Sequence, residues 1–95
     1  MLFVWDPEKA ESNLKKHGVS FELAQSVFDD PFHLSLLDRK QHGEERWITV
    51  GCSADMKTLV IVHVYRVQEE GMEVIRILSA RHATKKEVRQ YEEGI

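Results

Sequence analysis

The residues best suited to chemistry lie near the end of the chain. Val74-Ile75-Arg76-Ile77-Leu78-Ser79-Ala80-Arg81-His82-Ala83-Thr84-Lys85-Lys86-Glu87 is an apolar, β-prone run with an arginine in its middle and a second where it closes. Thr84 and Glu87 have the T-x-x-E spacing of a capping box, so a helix is expected to start there. Arg81 and His82 then fall at a strand-to-helix corner, close to the positive end of a helix dipole. Cations aimed from a rigid sheet toward a helix N-terminus suit an anion, and a phosphate is the obvious candidate. The plainer alternative is that Arg76 and Arg81 pair with the chain's carboxylates.

These groups need a scaffold, and 95 residues make one small domain, 1–95, with a single core. A composition 42% hydrophobic and 31% charged is that of an ordinary globular protein. No apolar run approaches membrane-spanning length, and Met1-Leu2-Phe3-Val4-Trp5-Asp6 meets an acidic residue too early for a signal peptide. With Cys52 as the one cysteine, no internal disulfide can form, which suits a reducing cytoplasm. The formal charge of −3 counts against coating nucleic acid through bulk electrostatics, yet Lys15-Lys16-His17 and Arg81-His82 with Lys85-Lys86 allow a locally basic cleft.

Along the chain, Leu2 to Trp5 reads as a strand. Asp6-Pro7 opens a helix as N-cap and first helical residue, Ala10, Leu14 and His17 fall near one face, and Gly18 ends it. Ser20 caps a second helix with the stripe Phe21, Ala24, Val27 and Phe28, which Pro31 stops. Strands follow at Leu34 to Leu37, Arg46 to Val50, Thr58 to Tyr65 and through Arg76. A polar loop runs from Asp38 to Glu44, and turns lie at Ala54 to Lys57 and Gln68 to Gly71. The Thr58 to Tyr65 run is apolar on both parities, as in a central strand covered on both sides. A last helix turns Val88 and Tyr91 inward and ends at Gly94. The expected order is β-α-α-β-β-β-β-α, an α+β fold. Its antiparallel sheet carries the two N-terminal helices on one face, and the other face is only partly covered.

With these residues in view, the chain resembles the BrnT-type toxins of bacterial and archaeal toxin–antitoxin operons. The likeness rests on Phe3-x-Trp5-Asp6, on Lys15-Lys16-His17-Gly18-Val19-Ser20-Phe21-Glu22 with Ala24, and on Val27-Phe28-x-Asp30-Pro31. It continues through Glu45-Arg46 leading to Gly51 and Arg76-Ile77-x-Ser79-Ala80-Arg81-x-Ala83-Thr84 with Glu87 and Tyr91. The number, order and spacing of the pieces make the match specific. It implies a compact fold related to the RelE ribonuclease toxins and an activity that cleaves RNA and halts translation. It also implies an antitoxin with a ribbon-helix-helix domain, which neutralises the toxin and brings DNA into contact only indirectly. The chain departs from the pattern at Leu23, where an acidic residue is common, and in its net acidity.

Metal-independent RNA cleavage needs a base for the 2′-OH, cations for the charge growing on the phosphate and an acid for the leaving 5′-oxygen. Arg76 and Arg81 are the expected phosphate clamps, since a guanidinium reaches two oxygens at once. Arg46 joins them if its strand lies alongside, and Lys16 and Tyr91 are further candidates for holding substrate. Positions 76 and 81 have opposite strand parity, so both face one cleft only if the strand ends or bulges around Ser79-Ala80. His17 is the expected acid–base group, although Lys16-His17-Gly18 also reads as a helix end with favourable charges. Glu45 is the alternative base, or a plain ion-pair partner of Arg46. The helical spacing of Tyr91 from Val88 favours a core role for it, and His63 reads as a hydrogen-bonded core residue. No H-E-x-x-H, cysteine pair or Gly-rich phosphate loop is present, so no metal or cofactor is expected. The competing reading is a non-catalytic module that keeps only an antitoxin-binding surface, and direct DNA binding has no helix-turn-helix to support it. Dimers and heterotetramers with the antitoxin are both compatible with the chain.

Overall fold

The computed structural model describes residues 1–38 and 45–94. Past Asp38, the expected polar loop lies outside the described residues. The elements are β1 (Leu2–Val4), α1 (Pro7–His17), α2 (Phe21–Gln25), β2 (Leu34–Asp38), β3 (Arg46–Cys52), β4 (Thr58–Val67), β5 (Glu73–His82) and α3 (Lys85–Glu93). Short 3-10 turns at Ser26–Asp29 and Glu69–Gly71 complete the described chain. The order is the expected one. Among the described residues, no helix is long and apolar enough to cross a membrane.

Local chemistry sets the helix ends. The Asp6 carboxylate accepts from the Glu8 N–H at 2.9 Å, and Gly18 closes α1 in the left-handed region at φ 70°. Ser20 accepts from the Leu23 N–H at 3.0 Å to start α2. Thr84 and Glu87 form the capping box of α3. Leu14, expected on the inward stripe of α1, is 49% exposed, and the buried residue is Asn13. The helix rests on Ala10, Asn13 and His17, one turn-spaced row rotated from the apolar one.

The sheet order is β1-β5-β4-β3-β2. Strands β2 to β5 form an antiparallel meander, whereas β1 joins the edge parallel to β5, with Phe3 opposite Ile75. The parallel pairing follows from the connection: two helices and three strands separate β1 from β5, so no hairpin dictates their direction. Between β4 and β5 the register slips: Val62 pairs with Ser79 but His63 pairs with Ile77, leaving Leu78 as the extra residue of a bulge.

Alternation then divides the side chains into two faces. Leu59, Ile61, Ile75, Ile77 and Ala80 turn toward the helices and form the core with Val19, Phe21, Ala24 and Val27, each at most 2% exposed. Gly51 lies where the Ser26–Asp29 turn crosses β3, and a Cβ there would meet Val27 Cγ1 at 2.8 Å. On the opposite face, Val60 and Val64 are buried and α3 covers only part of the surface.

Because β1 spans three residues, it pairs with β5 only from Val74 to Arg76. Further along that edge Asn13 takes the place of a strand. Its side-chain amide donates to the Ala80 carbonyl at 2.8 Å and to the Val19 carbonyl at 3.0 Å, and its oxygen accepts from the Ala80 N–H at 3.1 Å. Asn13→Ala leaves three buried backbone groups unpaired, each costing about 1–3 kcal/mol in part offset by relaxation. We expect a loss of about 2–4 kcal/mol in urea unfolding with the far-UV spectrum unchanged. A loss below about 0.5 kcal/mol would show that α1 docks without this anchor.

Candidate functional site: an arginine-lined sheet face

The bulge at Leu78 decides which cations stand together. Arg76 precedes it and Arg81 follows it, so the extra residue cancels their opposite parity and both leave the sheet on the face away from α1 and α2. Arg76 pairs with Val64 of β4 and Arg81 with Val60. Arg46 begins β3 one residue beyond the Trp47–His63 pair, which places it on the other flank of Val64 and on the same face. Arg66, which sequence reasoning did not single out, follows Val64 by two positions and adds a fourth guanidinium. A depression of about 350 Å³ lies among Val4, Val64, Arg66, Val74 and Arg76. Asp38 pairs with Arg46 across the β2–β3 ladder.

The four arginines are not equivalent. Arg81 holds Glu87 with both prongs of its fork, Nη1 to Oε1 at 2.8 Å and Nη2 to Oε2 at 2.9 Å. The same carboxylate accepts from the Thr84 N–H at 2.8 Å, so Arg81 and the α3 cap form one unit. The Arg81 hydrogen bonds, aided by those from Thr84, hold the Glu87 carboxyl down to about 2 against the pull of burial. Arg46 is half-buried, and its Nε is buried with no hydrogen-bond partner among the described residues. Such a donor stands ready for an acceptor brought from outside.

Of the four other candidates, Lys16, His17 and Tyr91 fall elsewhere and Glu45 does not. Lys16 is exposed on α1 and His17 ends that helix, which packs on the opposite face from the arginines. Glu45 is exposed immediately before Arg46, at the arginine end of the sheet. Tyr91 donates to Asp30 Oδ2 at 2.5 Å, and that bond drives its hydroxyl up to about 12. Asp30 also accepts from the Cys52 N–H at 2.8 Å and the Phe32 N–H at 2.9 Å. Burial pushes the Asp30 carboxyl up, but these donors together keep it below its ordinary value. Tyr91 thereby fastens α3 to β3 through Asp30.

A second group of polar residues lies on the helix-bearing face. His63 Nε2 is 2.7 Å from Thr49 Oγ1, and that oxygen is 2.7 Å from Ser35 Oγ, a row across three strands. His63 is 4% exposed, and its Nδ1 has no partner among the described residues. Burial, with the nearby His33, lowers its pKa to about 4. The sequence suggested a hydrogen-bonded core histidine here. The hydroxyl row became visible only once β2, β3 and β4 were in register.

Comparisons with known proteins bear on the family and the fold. A family described as the ribonuclease toxin BrnT of type II toxin–antitoxin systems matches the chain over residues 5–87. Among solved structures, the fold is similar to that of the Brucella abortus ribonuclease toxin BrnT, crystallised at 1.1 Å resolution. The two are 19% identical with a TM-score of 0.56, over 90% of this chain and 100% of that one. No curated protein matches the chain.

His63 yields a pH prediction. The folded protein keeps the imidazole neutral down to about pH 4, whereas the unfolded chain takes up the proton near 6.5. The unfolded state therefore binds more protons in that window, so the contribution is full above pH 6.5 and lost as pH falls toward 4. The loss amounts to roughly 3 kcal/mol. Urea unfolding at pH 7.5, 5.5 and 4.5 is expected to show it, and His63→Gln to remove most of the dependence. An equal decline in both proteins would assign it to other groups.

Proposed function

The chain belongs to the BrnT family of ribonuclease toxins of type II toxin–antitoxin systems, and we propose that it cleaves RNA on the arginine-lined face of its sheet without a metal ion. One observation carries this reading: the β5 bulge collects Arg76 and Arg81 on the face that already bears Arg46 and Arg66. Two or more guanidiniums at one phosphate neutralise its charge and hold it in a fixed orientation.

The reaction is an internal displacement. A base removes the 2′-OH proton, the 2′-oxygen attacks phosphorus, a 2′,3′-cyclic phosphate forms and the 5′-oxygen leaves with a proton from an acid. The arginines stabilise the charge that grows on the non-bridging oxygens, often the largest catalytic contribution. Of the acid–base candidates, Glu45 is the one beside Arg46, and we assign it the base role. Arg81 serves twice, at the edge of the cationic face and as the anchor of α3 through Glu87. Among the described residues, no three His, Cys, Asp or Glu side chains gather as a metal site, and the proposed chemistry uses none.

The family implies an antitoxin partner. We propose a ribbon-helix-helix protein that covers the arginine face and keeps RNA from it, with an interface of about 1,200–2,000 Å² in total. The chain alone then arrests growth, and co-expression of the antitoxin restores it.

Purified protein is expected to cleave RNA equally well with and without EDTA. Arg76→Ala and Arg46→Ala should each lower the rate by roughly 10²–10³-fold with the far-UV spectrum of the folded protein retained. Arg81→Ala should lose activity together with thermal stability, because Glu87 loses its partner. Arg81→Lys should recover little, since an ammonium does not reproduce the two-pronged contact. Cleavage abolished by EDTA and restored by magnesium would overturn the mechanism. Intact RNA under every condition would leave the chain as an antitoxin-binding module.

A further inference from the structure

Along three adjacent strands, three of the four arginines of the open face have a neighbour in sequence that points the other way: Arg46 with Trp47, Arg66 with Tyr65, and Arg76 with Ile75. Trp47 and Tyr65, with the core residue Ile75 beside them, border a cavity of about 240 Å³ on the helix-bearing face. Phe28, His33, Ser35, Trp47, His63 and Tyr65 are among its walls. Cationic and aromatic groups thus stand back to back at one end of the sheet.

The polar groups of the cavity are arranged as a hydrogen-bonding edge. His33 Nδ1 lies 2.7 Å from the Asp30 carbonyl, which can only accept, so the ring donates from Nδ1. In the neutral ring, Nε2 then carries the lone pair and accepts. Ser35, at the outer end of the row through Thr49 to His63, offers a hydroxyl that donates or accepts as the row reverses direction. His63, whose Nδ1 is buried without a partner among the described residues, completes the polar set. Phe28 packs edge-on against His63, with ring centroids 5.0 Å apart, and fixes that wall. Flat aromatic walls with a few convergent donors and acceptors suit a planar heterocycle better than an alkyl chain or a sugar.

We propose that this cavity receives one unstacked nucleobase of the RNA, while a neighbouring phosphate of the same strand lies on the arginines of the opposite face. The inference rests on the ribonuclease reading and extends it with a base-binding subsite. An RNA strand crossing the end of the sheet meets Arg66 on one side and Tyr65 on the other, one residue apart. The aromatic walls supply affinity for any base, and the histidine–hydroxyl edge selects among them.

The probes are the four nucleoside 5′-monophosphates, with ribose 5-phosphate as the control that has no base. They are titrated into the full chain while Trp fluorescence and the His33 and His63 imidazole resonances are followed. At least one nucleotide should quench fluorescence and shift both histidines, with ribose 5-phosphate doing neither. Trp47→Ala should weaken that nucleotide at least tenfold. Tyr65→Leu, at a side chain already 39% exposed, should weaken it less and guards against a Trp47 variant that fails to fold. Nucleotides that bind no better than ribose 5-phosphate, or that leave both histidines unmoved, would overturn the subsite. Parallel cleavage assays separate the two readings. Base binding without cleavage keeps the pocket and removes the ribonuclease, and cleavage without base binding does the reverse.

Discussion

The structure turns on one inserted residue in β5. A strand alternates its side chains with a period of two, so an uninterrupted β5 with Ile75 and Ile77 inward would also drive Ser79 and Arg81 into the core. The bulge at Leu78 resets the phase. Ala80, at 0% exposure, replaces an arginine against the helices, and Arg81 joins Arg76 on the open face. The small Ala80 side chain lets α1 approach closely enough for Asn13 to bond both polar groups of its backbone. Core composition, helix docking and the gathering of cations all follow from that shift.

The two faces carry different kinds of polar interaction. On the open face, charge meets charge: Arg81 is locked to Glu87, whose carboxylate also caps α3, so one ion pair ties the end of the sheet to the start of a helix. Asp30 does the corresponding work at the other end of α3, joining Tyr91 to the backbone of β3. The two anchors hold α3 over one end of the face and leave Arg46, Arg66 and Arg76 at the other. A protein of net charge −3 thus gathers four arginines on one sheet face, with Asp38 beside Arg46 and Glu87 on Arg81. On the helix-bearing face the polar row is neutral, and burial keeps His63 so.

Sequence-local chemistry was legible wherever it governs the outcome. Asp6, Ser20 and Thr84 start helices because their side chains bond backbone N–H groups two or three residues on, and Gly18 and Gly94 end them in the left-handed region. The apolar run of β4 reads as a central strand because residues of both parities are buried. Arg76, Arg81 and Arg46 could be singled out by type and spacing, and counting showed that the strand had to end or bulge around Ser79-Ala80; the structure bulges it just before, at Leu78. The family itself was readable from the order and spacing of its pieces.

Contacts between distant residues could not be read this way. Nothing near Asn13 in sequence announces that it will bond Ala80, 67 residues away, and the apolar Leu14 beside it looked the better inward residue. Tyr91 showed a hydroxyl but not that Asp30 would occupy it. Arg66 and Tyr65 acquired meaning only when the register placed them on opposite faces beside Arg76 and Ile75. The sequence by itself determined the elements, their order and the family, because caps, turns and hydrophobic period act within a few residues. Only the tertiary structure decided which side chains share a face, because strand register and the Leu78 bulge are set by packing between segments far apart in the chain.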